Sequence, residues 1–148
     1  MLKRFSYWHR IAKAYLLPTT SQLSFWHGTP EINTISDLDN PNPYYMKFHY
    51  KADYDGSFDD NGIPMLDYHG NIGLQYNPIA IAQYGLGNYN LFLETSIETR
   101  LNNFFHAADW LVNNLEQNSL KIPVWNHYFD FEYRDTLKSP WYSGLAQG

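Results

Sequence analysis

The stretch Asn77–Leu86 (Asn-Pro-Ile-Ala-Ile-Ala-Gln-Tyr-Gly-Leu) constrains the fold more than any other part of the chain. Asn77 can cap a helix, and Pro78 suits its first turn because the N–H that proline lacks has no helical partner there. The next residues are apolar on nearly every side, which is typical of a helix covered all round. Gln83 and Tyr84 carry polar groups that need partners if they are buried. We therefore predict a mainly α fold, part of an (α/α) toroid or barrel with a few short β-strands or hairpins, in which this helix lines the central groove.

A second helix is predicted to begin after Thr95, where apolar residues recur every three or four positions as far as Leu115. Thr95 and Glu98 have the spacing of a capping box, in which each side chain bonds the other's backbone N–H. The helix should extend for about five to six turns. Lying antiparallel to the first helix, it would complete an α-hairpin, the repeating unit of α/α barrels.

Four other segments have recognisable patterns. Lys3–Leu17 has helical spacing and ends before Pro18, and residues 44–50 alternate as a half-buried strand or hairpin arm does. Val124–Tyr133 alternates again and predicts an extended arm, with one side formed by Trp125, His127, Phe129, Phe131 and Tyr133. Ser139 and Pro140 would open a further helix that reaches Gly148 without a C-terminal cap, which suggests truncation. We predict an N-terminal helix with a loop and strand segment over residues 1–62, and the start of an α/α domain over 63–148.

Composition excludes several classes of function. The net charge of −5 argues against nucleic acid, because a basic patch supplies most of that affinity. No stretch is apolar enough to span a membrane or to form the h-region of a signal peptide, so the cytoplasm is favoured without being fixed. The absence of cysteine excludes disulfides and thiolate chemistry. The aromatic fraction of 18% fits either a core rich in tyrosine and tryptophan, which we favour, or surfaces that stack on sugar rings.

No metal or cofactor site is predicted. The six histidines lack the paired spacing of metal ligands. The acidic run Asp53–Asn61 resembles a calcium loop, but its spacing does not fit the twelve-residue pattern and no glutamate closes it, so a solvated turn is favoured. His69 lies near Asp67 and Tyr68, where a structural loop is again the favoured interpretation.

Three segments together resemble the D-glucuronyl C5-epimerase family, whose members convert glucuronate to iduronate in heparan-type polysaccharides. In chain order they are Pro78–Leu86 with Tyr89 following, Phe104–Asn114, and Trp141–Gly148. The resemblance covers about residues 63–148, and Met1–Asn61 matches only loosely. Few residues separate the first two segments, which indicates the shorter bacterial type. The family's catalytic domain continues beyond the third segment and places further catalytic residues there.

The resemblance implies a uronic acid C5-epimerase, or an N-terminal fragment of one, acting on an acidic, heparosan-like polysaccharide. The reaction needs two groups that flank the sugar, one to remove the C5 proton and one to return it, and no cofactor. Tyr76 and Tyr142 are the candidates for proton transfer. The candidates for substrate binding are Asn77, Gln83, Tyr84, Trp141 and Gln147. Inter-helix hydrogen bonding stays open for Gln83 and Tyr84, and packing stays open for Trp141.

Two other functions remain open from the sequence. A polysaccharide lyase on the same kind of barrel would share the first proton abstraction, and a non-catalytic helical domain would bind a glycan or a partner chain. An incomplete ring would also expose its inner helices as an apolar patch, so self-association is expected.

Overall fold

The computed structural model describes Trp8, His9, Ala12, Leu16 and residues 22–34, 45–133 and 135–147. In these ranges the helices are α1 (Gln22–His27), α2 (Pro78–Thr95) and α3 (Glu98–Asn113), with short 3-10 helices at His49–Asp53 and Gly144–Gln147. The strands are β1 (Ser57–Phe58), β2 (Pro64–Asp67), β3 (Leu74–Tyr76), β4 (Glu116–Gln117), β5 (Pro123–Val124), β6 (Phe131–Glu132) and β7 (Thr136–Leu137). They form antiparallel sheets in the orders β1-β2-β3, β4-β5 and β6-β7.

The prediction of a mainly α toroid is wrong, because the described chain is a mixed α/β structure with three small antiparallel sheets. After α3 the chain continues in short strand pairings. The helix predicted after Pro140 is also absent, and only Gly144–Gln147 turns, as a 3-10 helix. Trp141 instead pairs with His127 through two backbone hydrogen bonds of 2.7 and 3.1 Å. This long-range pairing satisfies the backbone groups that a helix would otherwise use.

Helix α2 confirms the predicted cap and the predicted burial of this helix, but not its place in the groove of a toroid. The Asn77 side chain accepts hydrogen bonds from the N–H groups of Ile79 and Ala80, at 3.0 and 3.4 Å. Ala80 and Ile81 are fully buried, as expected for a helix enclosed by other elements. The helix continues through its glycines and ends at Thr95, because Ser96 adopts the left-handed conformation that closes a helix.

Two glycines let neighbouring elements approach α2 closely. A Cβ atom at Gly87 would overlap the carbonyl oxygen of Phe48 and lie 3.1 Å from the nitrogen of Ala52. A Cβ atom at Gly85 would lie 3.1 Å from the Cβ atom of Ala107 in α3. The first 3-10 helix and α3 therefore pack directly against the α2 backbone.

The α-hairpin of α2 and α3 is confirmed, but the capping box is not. Thr95 is the last residue of α2 and donates its hydroxyl to the carbonyl oxygen of Leu91 at 2.6 Å. Only Ser96 and Ile97 separate the two helices, and α3 begins at Glu98 without a side-chain cap. Thr95 therefore closes α2 and does not open α3.

A buried polar network joins the hairpin to the first 3-10 helix. Asn88 is fully buried, and its side-chain oxygen accepts from Arg100 and Asn103, each at 3.3 Å. Arg100 also donates to the carbonyl oxygen of Ala52 at 3.3 Å and to the carboxylate of Asp53 at 2.9 Å. The fully buried asparagine is thereby satisfied, and the arginine fixes the position of the 3-10 helix.

The strand predicted over residues 44–50 is wrong for the part that the structure describes. Met46 makes a single bridge to Ile32, and the 3-10 helix begins at His49. Phe48 precedes this helix in the left-handed conformation, which breaks the extended path. Most of the predicted helix Lys3–Leu17 lies outside the described residues. The division at residue 62 stays a prediction.

The extended arm predicted over Val124–Tyr133 is confirmed in part. It contains β5, the His127 bridge and β6. Rings at alternate positions contact one another, with centroid separations of 5.6 Å for His127–Phe129, 6.2 Å for Phe129–Phe131 and 6.5 Å for Phe131–Tyr133. The aromatic residues at alternate positions therefore share one side, as the period of two predicts.

Lys51, in the first 3-10 helix, is fully buried. Its ammonium group donates to the carbonyl oxygen of Phe25 and lies 4.5, 5.1 and 5.6 Å from the ring centroids of Tyr50, Phe25 and Trp26. Burial lowers the pKa of Lys51 to about 8, against a smaller opposing effect of the Glu31 carboxylate. The rings and the carbonyl compensate part of the cost of removing the ammonium charge from water.

Gly87→Ala should destabilise the fold by about 1–3 kcal/mol, because the added methyl group forces the Phe48 carbonyl and α2 apart. Urea denaturation followed by circular dichroism measures the loss. Gly144→Ala is the matched control, since a Cβ atom there meets nothing within 4 Å. Equal stability of the two variants would contradict the close packing at Gly87.

The stability of the protein should rise between pH 8 and 10 through Lys51. Its pKa is about 8 in the folded state and 10.5 without the burial, so the unfolded chain binds more protons in this window. Lys51→Met should flatten the dependence of the urea midpoint on pH over 7.5–9.5. Lys138→Met is the control, because the pKa of Lys138 is raised by its hydrogen bond to Asp130, which keeps it charged throughout. An unchanged slope in Lys51→Met would contradict the assignment.

Candidate functional site

Tyr76 lies at the junction between β3 and α2, where a strand and a turn bring a carboxylate to it. It is the last residue of β3 and pairs with Met65 of β2. Asp59 lies in the turn between β1 and β2 and accepts hydrogen bonds from the backbone N–H groups of Asn61 and Ile63, at 2.9 and 2.8 Å. Its other oxygen accepts the Tyr76 hydroxyl proton at 2.8 Å. We call Tyr76 and Asp59 the Tyr76–Asp59 pair.

The two members of this pair are held in opposite protonation states at neutral pH. Partial burial, the hydrogen bond to Asp59 and the charges of Asp59 and Asp60 all raise the pKa of Tyr76. Burial also opposes ionisation of Asp59, but the hydrogen bonds from Ile63, Tyr76 and Asn61 outweigh it and lower the pKa of that carboxyl. The pair therefore consists of a neutral phenol that donates to a carboxylate. A carboxylate in this position can take the phenolic proton when the phenolic oxygen accepts another.

Trp110 borders the pair from α3. Its ring centroid lies 5.0 Å from that of Tyr76, with the planes tilted by 42°. Both side chains are half-buried, so one ring packs on the other while part of each stays near the surface. This contact fixes the phenol relative to the α-hairpin.

Asn77 connects the start of α2 to a group of aromatic rings. Its side-chain nitrogen donates to the Tyr68 hydroxyl at 3.0 Å while its oxygen caps the helix. Ring centroids of Phe129 and Phe131 lie 4.8 and 5.6 Å from that of Tyr68. Trp141 joins them at 5.5 Å from Phe129 and donates its indole N–H to the Phe129 carbonyl at 2.7 Å. Two residues predicted to bind substrate thus contact the same group of rings at different members, Asn77 at Tyr68 and Trp141 at Phe129.

His127 completes this group, which we call the aromatic cluster: Tyr68, His127, Phe129, Phe131 and Trp141. Its imidazole stacks on Trp141 with centroids 4.1 Å apart. Burial lowers the pKa of His127 to about 4, so the ring is neutral at physiological pH. A neutral imidazole stacked in this way is part of the packing.

Tyr142 and Gln147, two further predicted site residues, have hydrogen-bond partners outside the Tyr76–Asp59 pair. Tyr142 is half exposed, and its hydroxyl accepts from Asn118 at 3.4 Å. Gln147 accepts the N–H of Trp125 at 3.0 Å and donates to its carbonyl oxygen at 3.4 Å. Among the described residues, the Tyr76 hydroxyl bonds Asp59 and the Tyr142 hydroxyl bonds Asn118, so the two hydroxyls share no partner. Proton transfer by Tyr142 and sugar binding by Gln147 stay predictions.

The two predicted site residues inside α2, Gln83 and Tyr84, differ in environment. Tyr84 is buried in the core with its ring 5.5 Å from that of Phe58, and burial raises its pKa despite the hydrogen bond from Asn88. Gln83 is half-buried, and its side-chain oxygen has no hydrogen-bond partner among the described residues. The structure therefore gives Tyr84 a packing contact, while Gln83 keeps a free acceptor.

Sequence reasoning missed Asp59, Tyr68 and Trp110 as parts of this site. Asp59 lies in a run of acidic and glycine residues that reads as a turn, and it does form that turn. Nothing in the local pattern shows that its second oxygen meets Tyr76, because the sheet β1-β2-β3 creates that contact. The sequence offers a usable signal only for Trp110, which lies inside one of the segments that carry the family resemblance.

The described residues contain no group of three or more histidine, aspartate and glutamate side chains that could hold a metal ion. His69 and Asp67 form an exposed pair, with 3.0 Å between the imidazole nitrogen and a carboxylate oxygen. Over the same part of the chain, no helix combines the length and the apolar character that crossing a membrane requires. Comparisons with protein-family models, with curated proteins and with solved structures find no match to this chain.

Asp59→Asn should lower the pKa of Tyr76, since it removes the negative charge beside the phenol. The pKa should stay above 10.0, because burial is the largest cause of the shift and persists in the variant. The measurement is an NMR titration of protein with 13C-labelled tyrosine, in which Tyr76→Phe assigns the signal. Asp55→Asn, an exposed change that leaves the pair intact, is the control. The same Tyr76 pKa in both variants would contradict the role of Asp59.

Proposed function

We propose that this chain acts in epimerisation at C5 of a uronic acid unit in an acidic, heparosan-like polysaccharide. The observation that supports it is the Tyr76–Asp59 pair, a phenol with a proton acceptor at 2.8 Å beside the capped start of α2. The three segments that resemble the D-glucuronyl C5-epimerase family agree with this function, and the first begins two residues after Tyr76. The proposal does not depend on a toroid.

The pair can perform the first half of the reaction as a proton relay, in which it gains one proton and its negative charge is neutralised. The phenolic oxygen of Tyr76 takes the C5 proton while its own proton passes to Asp59. The C–H bond breaks, and its electron pair is delocalised into the carboxylate of the sugar. The tyrosine stays neutral and the aspartate becomes neutral, so no isolated phenolate forms beside a carboxylate.

The second half returns a proton to the opposite face of C5. We assign this step to Tyr142, whose hydroxyl proton would move to carbon and leave a phenolate. Exchange of a proton between Asp59 and Tyr142 through solvent then restores the starting states. Asn77 and Trp141 act in this scheme through the aromatic cluster, which connects the segment of Tyr76 to the segment of Tyr142, and Gln147 acts by holding the latter segment.

The test is incubation of the chain with a heparosan polymer in deuterated water. Deuterium should enter at C5 of the uronic acid, and NMR of the recovered polymer measures it. Tyr76→Phe should slow the exchange by about 10²–10⁴-fold, since it removes the group that takes the proton. Tyr45→Phe, at an exposed tyrosine outside the site, should exchange at the wild-type rate.

Non-catalytic glycan binding is the second candidate. The raised pKa of Tyr76 favours it, because a phenol that burial and Asp59 hold in the neutral form is a good hydrogen-bond donor and a poor base. Binding of the polymer without exchange at C5 would establish this candidate and exclude the first. Release of an unsaturated product that absorbs ultraviolet light would exclude both and assign a lyase, because elimination at C4 creates the double bond that epimerisation avoids.

A further inference from the structure

The hairpin β4–β5 and the segment around Trp141 together form a second surface rich in tyrosine. Backbone pairing of His127 with Trp141 places both of these side chains in the aromatic cluster. Side chains of an extended chain alternate in direction, so Tyr128 and Tyr142 lie on the side away from the cluster. Their exposed fractions of 63% and 49% agree with this placement.

The hydroxyl groups of both tyrosines are held by neighbours. The Glu116 carboxylate accepts the Tyr128 hydroxyl and also the side-chain N–H of Asn126, the latter at 3.0 Å. Asn118 donates to the Tyr142 hydroxyl at 3.4 Å. We call these five residues, Glu116, Asn118, Asn126, Tyr128 and Tyr142, the tyrosine face.

The contacts of the tyrosine face fit a sugar ring better than a flat apolar ligand. A pyranose has an apolar face of C–H groups and a rim of hydroxyl groups that both donate and accept. Tyrosine rings held by their hydroxyls offer contact area at low cost in conformational entropy. The two amides and the carboxylate beside them offer donors and acceptors at the edge of the rings.

The negative charge of Glu116 favours a neutral sugar over an acidic one as the ligand of the tyrosine face. Hydrogen bonds from Tyr128 and Asn126 lower the pKa of Glu116, so this carboxylate is ionised at neutral pH. The five residues include no lysine or arginine, and a uronate in contact with Glu116 would be repelled. A neutral pyranose carries no such penalty, and its hydroxyl groups can donate to the carboxylate.

We propose that the tyrosine face binds a neutral pyranose unit of the polysaccharide. The inference rests on the proposed function for the class of ligand, a polysaccharide. It adds the kind of sugar unit that this surface recognises. In a polymer that alternates acidic and neutral sugars, the Tyr76–Asp59 pair acts on the acidic unit while the tyrosine face holds a neutral one. Tyr142 also belongs to the proposed reaction, so Tyr128, which that reaction does not use, provides the separate test of the tyrosine face.

The probes are chitotetraose, a neutral tetrasaccharide of N-acetylglucosamine, and tetragalacturonate, an acidic tetrasaccharide of the same length. Titration calorimetry with the full chain should give tighter binding of chitotetraose. Tyr128→Ala and Tyr142→Ala should each weaken that binding by roughly tenfold, as truncation of an aromatic contact residue does. Tyr45→Ala, which removes a tyrosine of similar exposure (46%) elsewhere, should leave it unchanged.

Glu116→Gln tests the charge argument separately, because it keeps the shape and an acceptor oxygen. It should reduce the preference for chitotetraose over tetragalacturonate. An unchanged preference, absence of chitotetraose binding in the wild type, or equal effects of Tyr128→Ala and Tyr45→Ala would overturn the inference. Circular dichroism establishes that each variant is folded, and Tyr128→Leu replaces Tyr128→Ala if the latter is not.

Exchange at C5 measured on the same samples separates the two proposals. Loss of chitotetraose binding in Tyr128→Ala, with exchange retained at saturating polymer, supports the tyrosine face as a surface distinct from the reacting pair. Binding of chitotetraose by a wild-type chain that shows no exchange overturns the proposed reaction and leaves the neutral-sugar site standing.

Discussion

The close approach of two elements to the backbone of α2 is the constraint on which the rest of the structure depends. At Gly87 the carbonyl of Phe48 occupies the space of a side chain, and at Gly85 the methyl group of Ala107 does nearly the same. Because α2 is contacted this tightly on two sides, its register relative to the first 3-10 helix and to α3 is fixed. Asn88 and Arg100 use the same register for their buried hydrogen bonds, which a slip of one residue would break. The close packing at the α2 backbone and the hydrogen bonds of the buried polar groups therefore require the same register of α2.

The candidate site depends on that arrangement although none of its reacting groups lies within α2. Tyr76 ends the strand before the helix, Asp59 lies in a turn two strands earlier, and Trp110 approaches from α3. The turn at Asp59 uses one carboxylate oxygen for its own backbone and presents the other to the phenol. A local structural motif and a long-range contact thus share one side chain, so the geometry of the pair is as rigid as the turn itself.

Sequence reasoning succeeded where the determining contacts are local. The Asn77 cap, the burial of α2 and the periodicity of α3 are encoded within a few residues of one another, and all three are found. It failed where a distant partner decides, and also at Thr95, where the backbone angles of the next residue decide. Thr95 has the spacing of a cap, but the left-handed Ser96 makes it the end of α2. Trp141 follows a helix-like start, but its backbone instead pairs with His127 in an isolated bridge. The toroid failed for the same reason, since the path after α3 is set by contacts of the aromatic cluster that cross much of the chain.

The short connection between α2 and α3 also affects the order in which the structure can assemble. With only Ser96 and Ile97 between them, the helices meet without the entropy loss of closing a long loop. Contacts such as Tyr89 with Phe104 are near in sequence, and proteins dominated by such contacts fold quickly. The ring contact between Tyr68 and Phe129 requires a far longer stretch of chain to close. The hairpin can thus form as an early nucleus, on which the slower C-terminal strands, with Tyr128 and Tyr142, later dock.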